Sequence, residues 1–305
     1  MIACARVEEL SIPRTARFLA LFGGIVLFLW AALPVARAGA LVITNPFHRA
    51  ASRPAGLPAQ QAQFHASDGV SLHGWLARRS AAAPTVILVP GFKAGALSMV
   101  PYARLLLAGG FNALLYDSRG IGGSGGRFTL GVREVDDVRG AVSYLNGRHD
   151  LAEHRYGLLG VSLGAGVAIV AAAHLREIAA TVADSAYTDQ RRTVERLDSL
   201  RFGPVLVPLA PIAPWTVDRL IGVSLGSFSP LRAVRRIAPR PLLLIHSRHD
   251  TNPTTPLSGA LELERAAGPH ASLWIAPRGG HAGALAAQLA EYRRRVLAFF
   301  RRYLP

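Results

Sequence analysis

The sequence predicts an α/β fold with a mainly parallel central sheet, helices on both faces of the sheet and a small inserted cap. Two observations support this fold class. Short apolar runs, typical of buried parallel strands, alternate with segments of helical periodicity from residue 62 to the C-terminus. A proline-rich interval at 187–228 interrupts the alternation. The length of 305 residues and the hydrophobic content of 50% suffice for one large domain with such an addition.

The first half of this domain begins with a hairpin and continues with strand–helix units. Asp68-Gly69, lying between two strand-like segments, is a strong hairpin signal. The helical segments that follow end at glycines, which commonly terminate helices. The predicted elements are hairpin strands at 62–67 and 70–78, parallel strands at 85–89 and 111–116, and helices at 97–108 and 132–145.

The second half continues the same pattern. An apolar run at 156–161 turns through small residues into a segment of helical composition at 167–173. Such alternation implies a mainly parallel sheet that is covered on both faces. The remaining predicted elements are strands at 178–183, 241–245 and 272–276, and helices at 257–267 and 284–303.

The interval 187–228 departs from this pattern. It begins polar and then carries four prolines within 203–215, which exclude a regular helix through that stretch. We interpret it as a cap inserted over the sheet edge, apolar enough to line a pocket or touch lipid. A hydrophobic surface loop buried against the domain is an equally good interpretation.

The N-terminal segment predicts a membrane association. Residues 18–36 form a run of 19 residues without a charge, at the short end of what spans a bilayer. Arg6, Arg14 and Arg17 precede the run, so residues 1–17 should stay in the cytoplasm and the following domain should be exported.

Two fates of this segment compete. Ala36-Arg37-Ala38 satisfies the small-x-small rule of a signal-peptidase site, which would give a secreted or periplasmic protein. We favour a retained anchor, because the apolar run is longer than the usual core of a signal peptide. Residues 37–61 then form a tether, and 62–305 form a membrane-anchored domain outside the cytoplasm.

Composition narrows the possible partners and chemistry. The formal charge is +15, but Lys93 is the only lysine and the arginines are scattered, which indicates a solvated basic surface and no nucleic-acid partner. Cys4 is the only cysteine, so an intrachain disulfide and cysteine-based metal sites or nucleophiles in the domain are excluded.

The most informative motif is Gly160-Val161-Ser162-Leu163-Gly164, a G-x-S-x-G pentapeptide between a predicted strand and a predicted helix. In this context the serine occupies a strained turn that exposes its hydroxyl above the sheet edge. The flanking positions must be glycine, because side chains there would collide with the strand and the helix. The motif predicts that Ser162 is a nucleophile.

A serine nucleophile needs a base within hydrogen-bond reach and a carboxylate that orients the base. Where such a turn lies on an α/β sheet, the acid follows a late strand and the histidine lies in a late loop. Asp250 and His281 occur at those two positions and are predicted to be the acid and the base. The residues considered and set aside are Asp184, His246, His249 and His270.

Two backbone N–H groups are predicted to bind the oxyanion of the reaction. The N–H of Leu163 follows the nucleophile directly. The second donor should come from the loop after the first parallel strand, where Gly91 permits close approach and Phe92 supplies the N–H.

Several segments together match one known family. They are 67–75 in the hairpin, 116–124, 160–164, 229–231, and 245–250 followed by His281. On these residues the domain resembles the α/β-hydrolase superfamily of serine hydrolases. It is most similar to N-terminally membrane-anchored bacterial members related to the prolyl-aminopeptidase-like and acyl-protein-thioesterase-like group. The resemblance implies the α/β-hydrolase fold and a Ser-His-Asp triad. The chain departs from the family at Pro90, where histidine is usual, and at Ser247, where glycine is usual.

Three other interpretations compete with a hydrolase. The segment 120–125 matches the G-x-G-x-x-G fingerprint of NAD(P)-dependent reductases, but extra residues separate it from the neighbouring strand and helix. The segment 246–250 could be read as a metal cluster, but it lacks the helical spacing of known metal motifs. A membrane-tethered binding scaffold without catalysis would have no need of all three triad residues.

The sequence therefore predicts an extracytoplasmic, membrane-associated serine hydrolase that acts through an acyl-enzyme. The expected substrate is a small-molecule carboxylic ester with an apolar acyl group, with peptide or amide cleavage as the alternative. Membrane lipid is the expected partner of the N-terminal segment. No cofactor and no metal are required by this mechanism.

Overall fold

The structure, a computed structural model, describes residues 13–43, 52–151, 155–197, 199–202, 205–208 and 212–304. Some sequence predictions fall outside these ranges. They are the predictions for Cys4, for residues 1–12 of the cytoplasmic segment, for residues 44–51 of the tether, and for residues 198, 203–204 and 209–211 of the cap.

The central sheet has eight strands and confirms the predicted fold class. In space the strands lie in the order β1-β2-β4-β3-β5-β6-β9-β10, and all neighbours from β4 to β10 are parallel. The antiparallel pairs are the β1–β2 hairpin and β2 with β4. The strands are β1 (Ala59–His65), β2 (Ser71–Ala77), β3 (Thr85–Val89), β4 (Asn112–Tyr116), β5 (Tyr156–Val161), β6 (Ile178–Asp184), β9 (Leu242–Ser247) and β10 (Ala271–Ala276), with β7 (Ser199–Phe202) and β8 (Val205–Pro208) forming a separate antiparallel hairpin.

Helices cover both faces of the sheet because successive side chains of a strand point to opposite faces. Leu114 of β4 joins the buried cluster on the side of α3 and α4, whereas Leu115 joins the cluster on the side of α2 and α10. The helices are α1 (Arg14–Val42), α2 (Val100–Ala108), α3 (Glu134–Asn146), α4 (Leu163–His174), α5 (Gln190–Leu197), α6 (Ala213–Ile221), α7 (Pro230–Ala233), α8 (Leu257–Ala267), α9 (Ala284–Ala287) and α10 (Leu289–Tyr303).

The helix predicted at 284–303 is divided into α9 and α10 at Gln288. This residue has φ −145° and ψ 49°, outside the helical region. Its side-chain amide donates a hydrogen bond of 2.8 Å to the carbonyl oxygen of Arg278. The bond connects the break to the preceding loop.

The N-terminal helix α1 is 29 residues long, and it is the one helix of the described residues that is long and apolar enough to cross a membrane. Its last two turns lie on the domain, where Ala38 is 0% exposed and Val42 is 6% exposed. The interval predicted as a tether thus contains the end of α1 and the start of β1. This part of α1 packs against helix α6.

The interval predicted as a cap contains α5, the β7–β8 hairpin and α6. Pro214 lies in the first turn of α6, where a missing N–H costs nothing. The helix ends at Gly222, whose φ of +71° is the left-handed conformation typical of a helix end. Helices α5 and α6 contact one another, and α6 packs along α1. The cap therefore lies between the N-terminal helix and the carboxyl edge of the sheet.

Candidate active site

Ser162 lies in a strained turn between β5 and α4. Its φ of 55° and ψ of −117° are unfavourable for a residue with a side chain. A Cβ on Gly160 would overlap the carbonyl oxygen of Gly164, and a Cβ on Gly164 would overlap that of Val89. The Ser162 N–H donates to the carbonyl oxygen of Asp184 on the neighbouring strand at 2.8 Å. These contacts explain the glycine spacing of the motif and hold the hydroxyl above the sheet edge.

The structure brings the three predicted catalytic side chains together. His281 Nε2 lies 2.8 Å from Ser162 Oγ, and His281 Nδ1 lies 2.9 Å from Asp250 Oδ2. Ser162 and His281 are 119 positions apart in the chain. Both distances are those of hydrogen bonds, so one imidazole can exchange a proton with the hydroxyl while its other nitrogen donates to the carboxylate.

Asp250 is held in its ionised form although its side chain is 0% exposed. Burial acts to raise the pKa of this carboxyl, but hydrogen bonds from His281 and from the backbone N–H of Asn252 outweigh burial. The pKa of Asp250 therefore lies below its ordinary value. A carboxylate that stays ionised is what stabilises a positively charged imidazolium.

Thr255 is a member of the site that the sequence did not indicate. Its hydroxyl donates to Asp250 Oδ2 at 3.1 Å and also lies 3.0 Å from His281 Nδ1. Thr255 is 1% exposed, so water does not compete for these contacts. A threonine five positions after a candidate acid carries no distinguishing sequence signal, because its role depends on how the intervening loop folds.

The backbone of the histidine loop is fixed by a buried polar chain. The Ala282 N–H donates to Ser185 Oγ at 3.1 Å, Ser185 donates to Asp184 Oδ1 at 3.0 Å, and the Tyr292 hydroxyl donates to Asp184 Oδ2 at 3.0 Å. Burial raises the pKa of Asp184 to about 6, against these hydrogen bonds. Asp184 thus lies beneath the site and is connected to the histidine loop through the Ser185 hydroxyl, not to the imidazole.

His246, which lies on β9 and is buried, is also close to the triad. Its Nε2 is 3.6 Å from Asp250 Oδ2, too long for a hydrogen bond. Desolvation lowers the pKa of His246, against the attraction of Asp250. The described residues contain no group of three or more histidine, cysteine, aspartate or glutamate side chains that could hold a metal ion.

The two predicted oxyanion donors lie beside the nucleophile. Phe92 and Leu163 line the same cavity as Ser162, and a Cβ on Gly91 would lie 3.6 Å from Ser162 Cβ. Leu163 is the first residue of α4, where N–H groups lack helical acceptors. Neither N–H donates to another described residue. Both N–H groups are therefore placed to donate hydrogen bonds to a substrate oxygen.

The cavity above Ser162 has a volume of about 580 Å³, within the usual range for a small-molecule site. None of the described residues that line it is aspartate, glutamate, lysine or arginine. Leu41 of α1 also lines it, a contribution that the sequence did not indicate. Its apolar lining includes Leu41, Met99, Leu130, Tyr187, Val194 and Leu197.

Backbone N–H groups of the glycine-rich segment 120–125 donate hydrogen bonds within the protein. Asp117 Oδ2 accepts from the Gly123 N–H at 2.9 Å, and the Gly125 N–H donates to Ser71 O at 2.8 Å. Helix α3 begins only at Glu134. The segment therefore lacks the strand–turn–helix junction that binds a dinucleotide phosphate.

Comparison with known proteins gives a family match. A family model described as X-Pro dipeptidyl-peptidase (S15 family) matches residues 32–198, more than half of the chain. Among curated proteins, YqkD of Bacillus subtilis (strain 168) is 34% identical over 229 residues, which are 70% of each chain.

Two solved structures describe the fold. The esterase Pf2001 of Pyrococcus furiosus superposes with a TM-score of 0.69 and 25% identity, over 86% of this chain and 100% of the esterase. The α/β hydrolase GrgF from Penicillium sp. sh18 superposes with a TM-score of 0.64 and 23% identity, over 81% and 99% of the two chains. The similarity to GrgF, at 23% identity, concerns the fold alone.

Proposed function

Because this chain belongs to the X-Pro dipeptidyl-peptidase (S15) family and is a serine hydrolase of the α/β-hydrolase fold, we propose that it cleaves carboxylic esters with apolar acyl groups. The observation that carries the proposal is the 2.8 Å contact between Ser162 Oγ and His281 Nε2 inside a cavity with no lysine, arginine or carboxylate among its described lining residues. Such a cavity favours a neutral, apolar substrate.

In the proposed mechanism, His281 takes the Ser162 proton as the oxygen attacks the ester carbonyl. The N–H groups of Phe92 and Leu163 bind the resulting oxyanion, and Asp250 stabilises the imidazolium. His281 then returns the proton to the departing alcohol and leaves an acyl-enzyme. Water, deprotonated by His281, attacks the acyl group and releases the acid and free Ser162.

An ester is favoured over a peptide although the family is named for a dipeptidyl-peptidase. A peptidase that acts at an amino terminus binds a positively charged amine, and a carboxylate is the usual partner of such a group. The described lining of the cavity offers neither aspartate nor glutamate. The solved structure at 25% identity is described as an esterase. Amide cleavage is the second candidate.

We also propose that α1 is a retained membrane anchor that places the domain outside the cytoplasm. Its hydropathy and length support a membrane span. The large apolar side chains described between residues 18 and 28 are at least 49% exposed, as in a helix that faces lipid. The burial of Ala38 supports retention, because the possible cleavage site lies within docked helix.

A fluorophosphonate probe, which reacts with activated serines, tests the proposed nucleophile. We expect the full-length enzyme to be labelled covalently and to hydrolyse p-nitrophenyl esters. Ser162→Ala should abolish labelling and lower kcat/KM by about a thousandfold or more, since triad residues act as a unit. Ser272→Ala is the matched control, because Ser272 is exposed on β10 and lies outside the cavity lining.

Labelling that survives Ser162→Ala would show that another serine is the nucleophile. Failure of the wild-type enzyme to react with the probe or any ester would favour the scaffold alternative. Faster turnover of aminoacyl-naphthylamides than of esters would favour the peptidase alternative. The Ser272→Ala variant should match the wild type in every assay.

A further inference from the structure

We propose that the last turns of the membrane anchor form part of the acyl-binding wall, and that the substrate is an amphiphilic acyl ester drawn from the bilayer leaflet. Leu41 of α1 then helps to select the acyl chain. This inference rests on the proposed ester hydrolase function and names its substrate class. It assigns to the anchor a role in recognition in addition to tethering.

Leu41 lines the same cavity as Ser162, together with Val194 and Leu197 of the cap. The helical turns that carry it are fixed, since Ala38 and Val42 are buried. The contact is therefore part of the packed structure and joins the anchor to the proposed catalytic cavity. Removing or enlarging the Leu41 side chain changes the space available to an acyl chain.

Polar contacts hold the same helix end in place. Lys93 Nζ donates to the carbonyl oxygens of Ala40 and Ile43, each at 2.7 Å. The Arg37 guanidinium also donates to the carbonyl oxygen of Leu197. Carbonyls at a helix C-terminus lack helical donors and favour a cation. Lys93 directly follows Phe92, so the anchor end is bonded to the loop of a proposed oxyanion donor.

Helix geometry places the cavity close to the bilayer. The uncharged run ends at Ala36, and Leu41 follows five residues later, about 7.5 Å along the helix axis. The polar layer on each side of a bilayer is about 5–8 Å thick. With the uncharged run in the hydrocarbon core, Leu41 lies at the level of the lipid headgroups. An acyl chain leaving the leaflet along α1 reaches the cavity without crossing bulk water.

Exposed apolar side chains near the helix end support contact with the leaflet. Trp215 on α6 is 57% exposed, and the Arg219 guanidinium carbon lies 5.2 Å from its ring centroid. Phe92, which lines the cavity, is 45% exposed, and Leu97, next in the chain to the lining residue Ser98, is 47% exposed. Tryptophan at the headgroup level and arginine beside anionic lipid are both favourable. In the proposal, this surface contacts the bilayer leaflet in which the anchor lies.

The test uses the full-length enzyme in phosphatidylethanolamine–phosphatidylglycerol vesicles. The kcat/KM values for p-nitrophenyl palmitate and butyrate are compared as a ratio, because a general loss of folding would lower both. We expect Leu41→Trp to lower the palmitate-to-butyrate ratio by about tenfold or more, on the scale of discrimination in apolar pockets. Leu41→Ala should shift the preference toward longer chains. Leu27→Trp is the matched control, since Leu27 is 64% exposed on the same helix.

The proposed transfer of the acyl ester from the leaflet into the cavity is tested with a water-insoluble dipalmitoyl glycerol ester. The ester is placed either in the vesicles that hold the enzyme or in separate vesicles. We expect hydrolysis when enzyme and ester share a bilayer and at least a tenfold lower rate when they do not. Equal rates in the two arrangements, or an unchanged chain-length ratio in both Leu41 variants, would overturn the inference. Ser162 would still be labelled in that case. Loss of labelling in the wild type would instead contradict the proposed function.

Discussion

The Thr255 hydroxyl contacts both the Asp250 carboxylate and the His281 imidazole of the proposed triad. Hydrogen bonds to charged groups contribute about 1.5–3 kcal/mol each. This contact orients the carboxylate and, through it, the imidazole. Thr255 is therefore proposed as a positioning residue of the reaction and not as a group that touches the substrate.

We expect Thr255→Val to lower kcat/KM for p-nitrophenyl butyrate by about tenfold to a hundredfold, since it removes the hydroxyl and keeps the shape. Thr255→Ser retains the hydroxyl and should stay within about threefold of the wild type. Steady-state kinetics on the full-length enzyme measures both. A valine variant with wild-type kinetics would show that the hydroxyl does not assist the imidazole.

At the residue scale, the sequence was most informative where the chemistry is local. The constraints on Ser162 come from glycines two positions away, so they are visible in five residues. Asp250 and His281 were found through the chain order of a known topology. Thr255, Ser185 and Leu41 were missed because their contacts depend on loops and helices that meet only in three dimensions.

At the scale of elements, the close contact between α3 and the first hairpin depends on one glycine. A Cβ on Gly140 would overlap the carbonyl oxygen of His65 and lie 2.7 Å from the Cα of Ala66. Both neighbours are backbone atoms at the end of β1, so they cannot rotate away. The small residue allows α3 to approach the strand.

We expect Gly140→Ala to lower the free energy of unfolding by about 1–3 kcal/mol, the usual cost of overpacking. Gly147→Ala is the matched control, because Gly147 ends the same helix with φ −80° and its Cβ would lie 3.6 Å from the nearest atom. Urea unfolding of the detergent-solubilised protein measures the free energy of unfolding of each variant. Equal stabilities would show that α3 can shift without cost.

Strands and helices with a clear period were predicted close to their observed bounds, as for Thr85–Val89 and Leu257–Ala267. The extension of α1 to Val42 was not predicted, since it depends on contacts with the distant cap. Within the cap, alternating apolar residues and prolines did not indicate the β7–β8 hairpin. Local pattern thus predicts the sheet and its covering helices better than the parts that shape the cavity.

At the scale of the whole molecule, the family match and the esterase-like fold confirm the resemblance to α/β-hydrolase serine hydrolases that the motifs indicated. The proposed anchor must escape cleavage by signal peptidase to hold the domain at the membrane. The possible cleavage site at 36–38 lies inside α1, whereas peptidases bind extended chain. In the proposal, the docked helix end protects the site from cleavage.

We expect the purified protein to retain residues 1–38, as checked by mass spectrometry, and to remain in membranes after an alkaline carbonate wash. Leu27→Arg places a charge in the middle of the proposed span and should reduce retention, since such a charge costs about 2.5–3.5 kcal/mol. Leu261→Arg is the control on the exposed surface of α8. A mature N-terminus at Gly39 would identify α1 as a cleaved signal.

The position of Lys93 has a practical consequence for spectroscopy. It is the sole lysine in the 305 residues, and its ammonium lies where the anchor end meets the loop beside Ser162. An amine-selective dye therefore has one side-chain target. Fluorophore attachment there needs no engineered cysteine. Because it removes the ammonium that donates to the Ala40 and Ile43 carbonyls, the emission reports how the junction of helix and catalytic domain responds to the loss of those contacts.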